Sequence, residues 1–317
     1  MKKVLAIVVA VALALSLILP GIALAQQPVK VDKYKPVPAT DIKLATKVSV
    51  TRPGRPKPPK PPKRVKEAAT GILGDSVTGN KYAIVIGISD YPGTRNDLQY
   101  MDDDAEDMIS ALTDCYGFVP GNIISLIDED GTEANGGELV ATRANIIQAI
   151  RAIAAEVTAG DEVVFFFSGH GGKGKAEDGD KEKVDECIWA HDGENLVPIW
   201  DGELKAEFEG YATSRIIFIF DSCYAGGMTD LKASGRVLAM ATTENTVGYE
   251  SGAWQNGEFT YYLVDQGMLA GLADKYDHDE EPATDDVTVE EAWDYAKANC
   301  QLDKPTIKDS FEDDLLL

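Results

Sequence analysis

Glu162-Val163-Val164-Phe165-Phe166-Phe167-Ser168-Gly169-His170-Gly171-Gly172 and Ile216-Ile217-Phe218-Ile219-Phe220-Asp221-Ser222-Cys223-Tyr224-Ala225-Gly226-Gly227 decide how this chain is read. Each opens as a run with almost no polar position, which is what a strand buried on both faces requires, and each closes on small, turn-forming residues. Tyr82–Ile88, Asn122–Ile127 and Arg236–Ala241 read as further strands, and Cys187–Ala190 as a short one. Between them Asp103–Thr113 and Thr142–Val157 read as helices, the second with Ile146, Ile147, Ile150, Ile153 and Ala154 on one face. A helix is expected within Leu196–Gly210, and Thr288 with Glu291 forms a capping box that opens another through Asn299. Strands alternating with helices imply right-handed crossovers. The expected fold is therefore a doubly wound, mostly parallel α/β sheet with helices on both faces.

Charge divides the chain more sharply than length does. Its 317 residues carry 30 Lys and Arg against 53 Asp and Glu, a net −23. Residues 1–80 alone are +10, which leaves −33 on residues 81–317. An acidic field of that size excludes nucleic acid as a partner of the globular part, since phosphate binding needs clustered cations. Lys2 and Lys3, the apolar run Val4–Leu19, and Ala23-Leu24-Ala25 read as a signal peptide over residues 1–25, cut near Ala25. The expected product is secreted or associated with the cell surface, with no transmembrane helix in the mature chain. Residues 26–80 form a basic arm; from Pro28 to Lys66, with Arg52-Pro53-Gly54-Arg55-Pro56-Lys57-Pro58-Pro59-Lys60-Pro61-Pro62-Lys63-Arg64 at its centre, it is expected to be extended and solvated. Residues 81–317 are left to form the folded domain.

In open α/β sheets ligands bind beyond the carboxyl ends of the strands. His170 and Cys223 each stand just past such an end, the arrangement a Cys-His acyl-transfer site needs. An imidazole supplies thiolate character and later protonates the leaving amine. Gly171 and the Cys223 backbone N–H are candidate donors to the oxyanion. Of the other histidines, His278 lies in what reads as an acidic surface stretch, leaving His191 as the one rival to His170. A serine hydrolase is disfavoured because neither Ser168 nor Ser222 lies in a Gly-x-Ser-x-Gly elbow. No glycine-rich phosphate loop is present, and no organic cofactor is expected.

Lys81–Ile88, Asp103-Asp104-Ala105-Glu106-Asp107-Met108, Ser168-Gly169-His170-Gly171, Asp185-Glu186-Cys187-Ile188, Asp221-Ser222-Cys223 and Gly257-Glu258-Phe259-Thr260, in that order, resemble the caspase-like cysteine peptidases, specifically the metacaspase and prokaryotic caspase-homologue branch. The resemblance implies a caspase-haemoglobinase fold, with His170 as general acid/base and Cys223 as nucleophile. It implies an acidic pocket from Asp104, Ser168 and Asp221 that receives Lys or Arg, and protein or peptide substrates. It also implies calcium at Asp185, Asp201 and Asp230, although the second Asp expected beside Asp201 is Gly202 here, which leaves three alternatives: weak binding, recruitment of water or Glu203, or no calcium site. The acidic loop Asp277, Asp279 and Glu281 reads as solvated charge, because Pro282 stands where an EF-hand needs its Gly.

A basic arm tethered to an acidic cleft suggests a propeptide and intramolecular substrate, with Arg64-Val65 and Lys66-Glu67 as expected self-cleavage points and the Lys173–Lys183 loop as another. The alternative is a non-catalytic caspase-like binding module on the cell surface. With Cys223 needed as a free thiol, Cys115, Cys187 and Cys300 can supply at most one internal disulfide.

Overall fold

The computed structural model describes residues 36–38, 44, 47–49, 66–128, 140–175, 184–276, 278 and 286–317, all within one compact unit, Tyr34–Leu317. The signal-peptide segment, the prolines at the centre of the arm and the acidic loop at 279–285 lie outside them.

Six strands make the central sheet: β3 (Lys81–Ile88), β4 (Ile123–Asp128), β5 (Glu162–Ser168), β9 (Ile216–Asp221), β10 (Arg236–Met240) and β13 (Thr306–Asp309), in the order β13-β10-β9-β5-β3-β4. All pairings are parallel except β10 with β13 at one edge. Alternate side chains of the central strands feed two cores, as the period of a strand demands. Ile84, Ile86, Phe165, Phe167, Phe218 and Phe220 face α2 (Arg143–Glu156) and α3 (Asp201–Phe208), where Ile150, Leu204 and Phe208 complete one cluster. Ala83, Val85, Val164, Phe166, Ile217 and Ile219 face α1 (Met101–Asp114) and α5 (Val289–Asn299), through Met108, Leu112 and Trp293. The edge of Phe208 meets the Phe218 ring at 4.8 Å and the Phe165 ring at 5.5 Å, the T-shaped geometry that the ring quadrupoles favour.

The chain leaves β3 toward β4 on one side and returns to β5 on the other, so a switch point lies between β3 and β5. Helix α1 begins beside that point because Ser89, just past β3, accepts the backbone N–H groups of Met101 and Asp102 at 3.0 and 3.3 Å. Asp102, Asp103 and Asp104 fill its first turn, where the helix dipole favours carboxylates. Thr142 caps α2 and the Thr288/Glu291 capping box opens α5, as the sequence predicts.

A second, antiparallel sheet follows His170. Its strands are β1 (Val37–Pro38), β6 (Gly171–Gly174), β7 (Asp185–His191) and β8 (Asn195–Trp200), in the order β1-β8-β7-β6. The helix expected within Leu196–Gly210 is Asp201–Phe208, and the residues before it form strand β8, which the sequence reading did not separate. The apolar run Leu196–Trp200 is short, and period alone does not separate a buried strand from a helical turn. A third sheet joins β2 (Val48–Ser49), β11 (Tyr249–Ser251) and β12 (Asn256–Gly257). The four cysteines are free thiols.

Glu290, in the first turn of α5, is fully buried, and burial pushes its carboxyl up to about 8 despite the Leu315 N–H it accepts at 2.8 Å. Between the ordinary glutamate value and about 8 the folded chain holds a proton that the unfolded chain has released, so stability falls as pH rises through that window. Glu290→Gln keeps an acceptor without the ionisation. Its unfolding free energy should fall less steeply from pH 5 to 8, by up to about 1.4 kcal/mol per pH unit, in denaturant titrations at each pH.

Candidate functional site

Strands β5 and β9 are neighbours in parallel, with Ser168 opposite Asp221 on their last shared rung. His170 and Cys223 each follow that rung by two residues, so both emerge at the same end of adjacent strands, and both are buried. The Gly169 N–H extends the pairing one step by donating to the Asp221 carbonyl at 3.3 Å. Past Cys223 the chain turns on Tyr224, at φ 61°. The Thr242 hydroxyl secures the turn by donating to the Ser222 carbonyl and accepting the Ala225 N–H, each at 2.9 Å.

Three contacts orient His170. Its backbone N–H donates to the Tyr91 hydroxyl at 2.9 Å, which donates in turn to the Trp189 carbonyl at 3.1 Å, and the two rings lie 4.7 Å apart. Its Nε2 lies 2.6 Å from the Asn96 carbonyl. A carbonyl only accepts, so the proton sits on Nε2 and the neutral ring keeps its basic lone pair on Nδ1. The orienting group is a backbone atom of a loop residue, for which the sequence offers no signal. The rival His191 is held at 2.7 Å by Asp128. His278 departs from expectation: its side chain is 3% exposed and sits between Asp286 and Asp314, because their carboxylates draw it inward from the acidic stretch.

Gly171 packs so closely on the Cys223 carbonyl that a Cβ there would collide with it. The Trp189 N–H donates to the His170 carbonyl, making His170 and Trp189 a hydrogen-bonded rung; the next rung, Gly171 with Ile188, is therefore non-bonded. The Gly171 N–H points away from β7, off the outer edge of the sheet, where it can serve an incoming acceptor. Burial pushes the Cys223 thiol up to about 11, with Asp303 and Asp221 acting in the same direction; the Gly248 N–H, 3.3 Å from Sγ, and Lys47 partly oppose this. In this conformation the sulfur rests as a thiol.

The three residues read as an acidic pocket meet in one slot. Ser168 Oγ donates to Asp104 Oδ2 at 2.5 Å, while Asp104 Oδ1 accepts the Gly257 N–H at 2.9 Å. Asp221 Oδ2 accepts the Thr260 N–H and hydroxyl at 3.0 and 2.7 Å, which accounts for the Gly257-Glu258-Phe259-Thr260 motif. Burial and the Asp221 charge push the Asp104 carboxyl up to about 8. Sequence reasoning missed Asp303, a third buried acid raised by burial and then by Asp221. It also missed the occupant of the slot. Lys47 of the arm is fully buried there, with Nζ 2.7 Å from Asp221 Oδ1, 3.9 Å from Asp104 Oδ2 and 3.4 Å from Ser168 Oγ. Burial alone would lower its pKa, but the carboxylates more than offset this and the ammonium stays charged. The expectation of a solvated arm therefore fails at Lys47 and at Leu44, both drawn in by partners that an isolated arm lacks.

Asp185, Asp201 and Asp230 also converge. Burial, then Asp230, pushes the Asp201 carboxyl up to about 8, with Glu186 and Asp185 adding to the rise. Among the described residues, however, no group of three or more His, Cys, Asp or Glu side chains is arranged to hold a metal ion. Lys205 lies 3.3 Å from Asp230. Glu203 does not serve as the substitute ligand, being engaged by Arg143 at 2.7 Å and by the Trp200 N–H at 3.1 Å. The acids are gathered, but not in a coordinating set.

Part of the chain is similar to known proteins. The family profile described as metacaspase, peptidase C14 domain matches residues 81–232. Metacaspase-1 of Saccharomyces cerevisiae is 34% identical over 160 residues, covering 49% of this chain and 35% of the yeast protein. Metacaspase-7 of Arabidopsis thaliana is 34% identical over 167 residues, covering 52% of this chain and 39% of the plant protein. The chain thus spans little more than a third of the length of these curated relatives. A Geobacter sulfurreducens protein of known crystal structure aligns with a TM-score of 0.53 at 20% identity, over 74% of this chain and 94% of its own, and shares the fold.

Tyr91→Phe removes the hydroxyl that serves both the His170 N–H and the Trp189 carbonyl, leaving two buried backbone groups without it. A loss of about 1–3 kcal/mol is expected in urea unfolding, well above the cost of a surface substitution.

Proposed function

We propose that this chain, whose residues 81–232 match the family described as metacaspase, peptidase C14 domain, is a caspase-like cysteine peptidase: an exported endopeptidase that cuts after Lys or Arg. One observation carries the specificity: a lysine of the chain's own arm lies in the slot of Asp104, Ser168 and Asp221, next to the Cys223 loop. A partly desolvated carboxylate pair favours a cation and rejects an acidic side chain.

The chemistry follows from the assigned groups. His170 Nδ1 takes the Cys223 proton as Sγ attacks the carbonyl carbon after the basic residue. The Gly171 and Cys223 N–H groups receive the charge that gathers on the carbonyl oxygen, a contribution worth about 3–4 kcal/mol per donor in comparable sites. The imidazolium protonates the leaving amine, the C–N bond breaks and a thioester remains. His170 then draws a proton from water, which attacks the thioester and returns Cys223 as a thiol. The Asn96 carbonyl keeps the ring in the tautomer that each step requires.

Export rests on the N-terminal 25 residues, and self-processing on the basic sites Arg64-Val65, Lys66-Glu67 and the Lys173–Lys183 loop. Calcium enters as a stimulating ion at Asp185, Asp201 and Asp230, which would have to rearrange, with Lys205 moving away from Asp230, to supply the oxygens it needs. A calcium titration followed by thermal unfolding tests this: the midpoint should rise with calcium and not with magnesium, and Asp230→Asn should abolish the rise.

Fluorogenic peptides ending in Arg, Lys, Asp or Asn test the main reading. Cleavage is expected after Arg and Lys, and none with Cys223→Ala or His170→Ala. Asp221→Asn should lower kcat/KM for the basic substrates by about 30-fold or more, as loss of one partner from a desolvated charge pair does. Cleavage after Asp alone, or undiminished turnover by Cys223→Ala, would overturn it; binding of basic peptides without turnover would favour a non-catalytic module.

A further inference from the structure

The direction in which the arm crosses the slot sets Lys47 apart from a substrate. Residues on both sides of it are docked. On the N-terminal side, Leu44 is 5% exposed, joins the core cluster that includes Tyr91 and Leu98, and donates its N–H to Asn96 Oδ1 at 3.2 Å. Asn96 is the residue whose backbone carbonyl holds His170 Nε2. On the C-terminal side, Val48 and Ser49 add a strand to β11, parallel to it, opposite Tyr249 and Glu250. The Lys47 stem runs against Gly248, whose N–H points at Cys223 Sγ. Its Nζ lies 3.0 Å from where a Cβ on Gly257 would stand, so the slot exists because that position is glycine.

For the bond after a basic residue to be cut, the amine that leaves must face the imidazole that protonates it. Here the flank on the amine side of Lys47 is strand β2, committed to β11. The flank at the loop that holds His170 is Leu44, on the acyl side. On this reading the basic side chain fills the slot with its acyl-side neighbour, not its amine-side neighbour, at the loop that holds His170, and the Lys47–Val48 bond is not expected to be presented for hydrolysis. Because the arm is part of the chain, even a modest intrinsic affinity keeps the slot filled at the millimolar effective concentration that a short tether provides.

We propose that the arm, through Leu44, Lys47 and strand β2, is a tethered, competitive inhibitor with Lys47 as its anchor, displaced intact from the slot and not cleaved in it. The proposal rests on the reading of the slot as the binding site for basic side chains. It assigns latency to the arm's own lysine and predicts that peptides with a basic side chain compete with the arm for Asp221.

The test uses full-length protein and three variants. Lys47→Gln removes the charge, Lys47→Arg keeps it, and Ser49→Pro disturbs the β2–β11 pairing without touching the slot. Lys47→Gln and Ser49→Pro should lower KM for an Arg-ending peptide by about 10-fold or more with kcat little changed, as expected when a tethered competitor is lost. Both should also speed alkylation of Cys223 by iodoacetamide, whereas Lys47→Arg should behave as the parent chain. Intact mass and N-terminal sequencing should find the Lys47–Val48 bond uncut. Cleavage after Lys47 that disappears in Cys223→Ala would overturn the proposal, making Lys47 a processing site. Equal KM and equal alkylation rates across the four proteins would overturn it too. If no protein cleaves any peptide, the peptidase reading fails, yet faster alkylation in Lys47→Gln and Ser49→Pro would still support the plug.

Discussion

The rung that pairs Ser168 with Asp221 is the constraint on which the site depends. In a parallel ladder the register of two neighbouring strands is fixed along their whole length, because a slip by one residue turns every side chain to the other face. Phe165, Phe167, Phe218 and Phe220 face one core, while Val164, Phe166, Ile217 and Ile219 face the other, so a slip would place each set against the wrong helices. The same register that satisfies the cores brings His170 and Cys223 out level with each other and sets Ser168 beside Asp221. Packing deep in the sheet thereby fixes the layout of groups at its edge.

Burying three carboxylates in one slot is costly unless a cation joins them. Coulomb attraction between Lys47 and Asp221 offsets desolvation only because the two approach to 2.7 Å and Thr260 satisfies the second carboxylate oxygen. Burial and the Asp221 charge hold the Asp104 carboxyl up, and Lys47 opposes them only in part. Such a slot has a standing demand for positive charge, and the acidic body with its basic arm supplies that charge from within the chain. The electrostatics that hold Lys47 in place are the same that would draw in a Lys or Arg of a substrate, so the proposed latency and the proposed specificity would share one physical origin.

The acids around Asp201 illustrate the converse case. Burial, and then repulsion from Asp230, raises Asp201, while Lys205 lies 3.3 Å from Asp230. Glu203 is tied to Arg143 and to the start of α3, where it closes the helix cap. A cluster of carboxylates in sequence motifs is not yet a coordination shell, which needs their oxygens to converge on a common point.

The apolar runs, the helical faces and the capping boxes were legible from residue order, because strand and helix periods are local properties. Local, too, were the strand-end positions of His170 and Cys223, and family likeness supplied Asp104, Ser168 and Asp221. β8 escaped because a short buried run fits either period. The Asn96 carbonyl escaped for a different reason: every residue carries one, and only the folded loop decides which lies at Nε2. Leu44, Lys47 and Asp303 were unremarkable as isolated residues; their roles come from neighbours far away in sequence. Sequence by itself determined the kind of fold and the chemical types gathered at the strand ends. The tertiary structure alone decided which backbone atom orients the imidazole and which cation answers the slot, because both depend on distances of a few ångströms between segments that meet only once the sheet has formed.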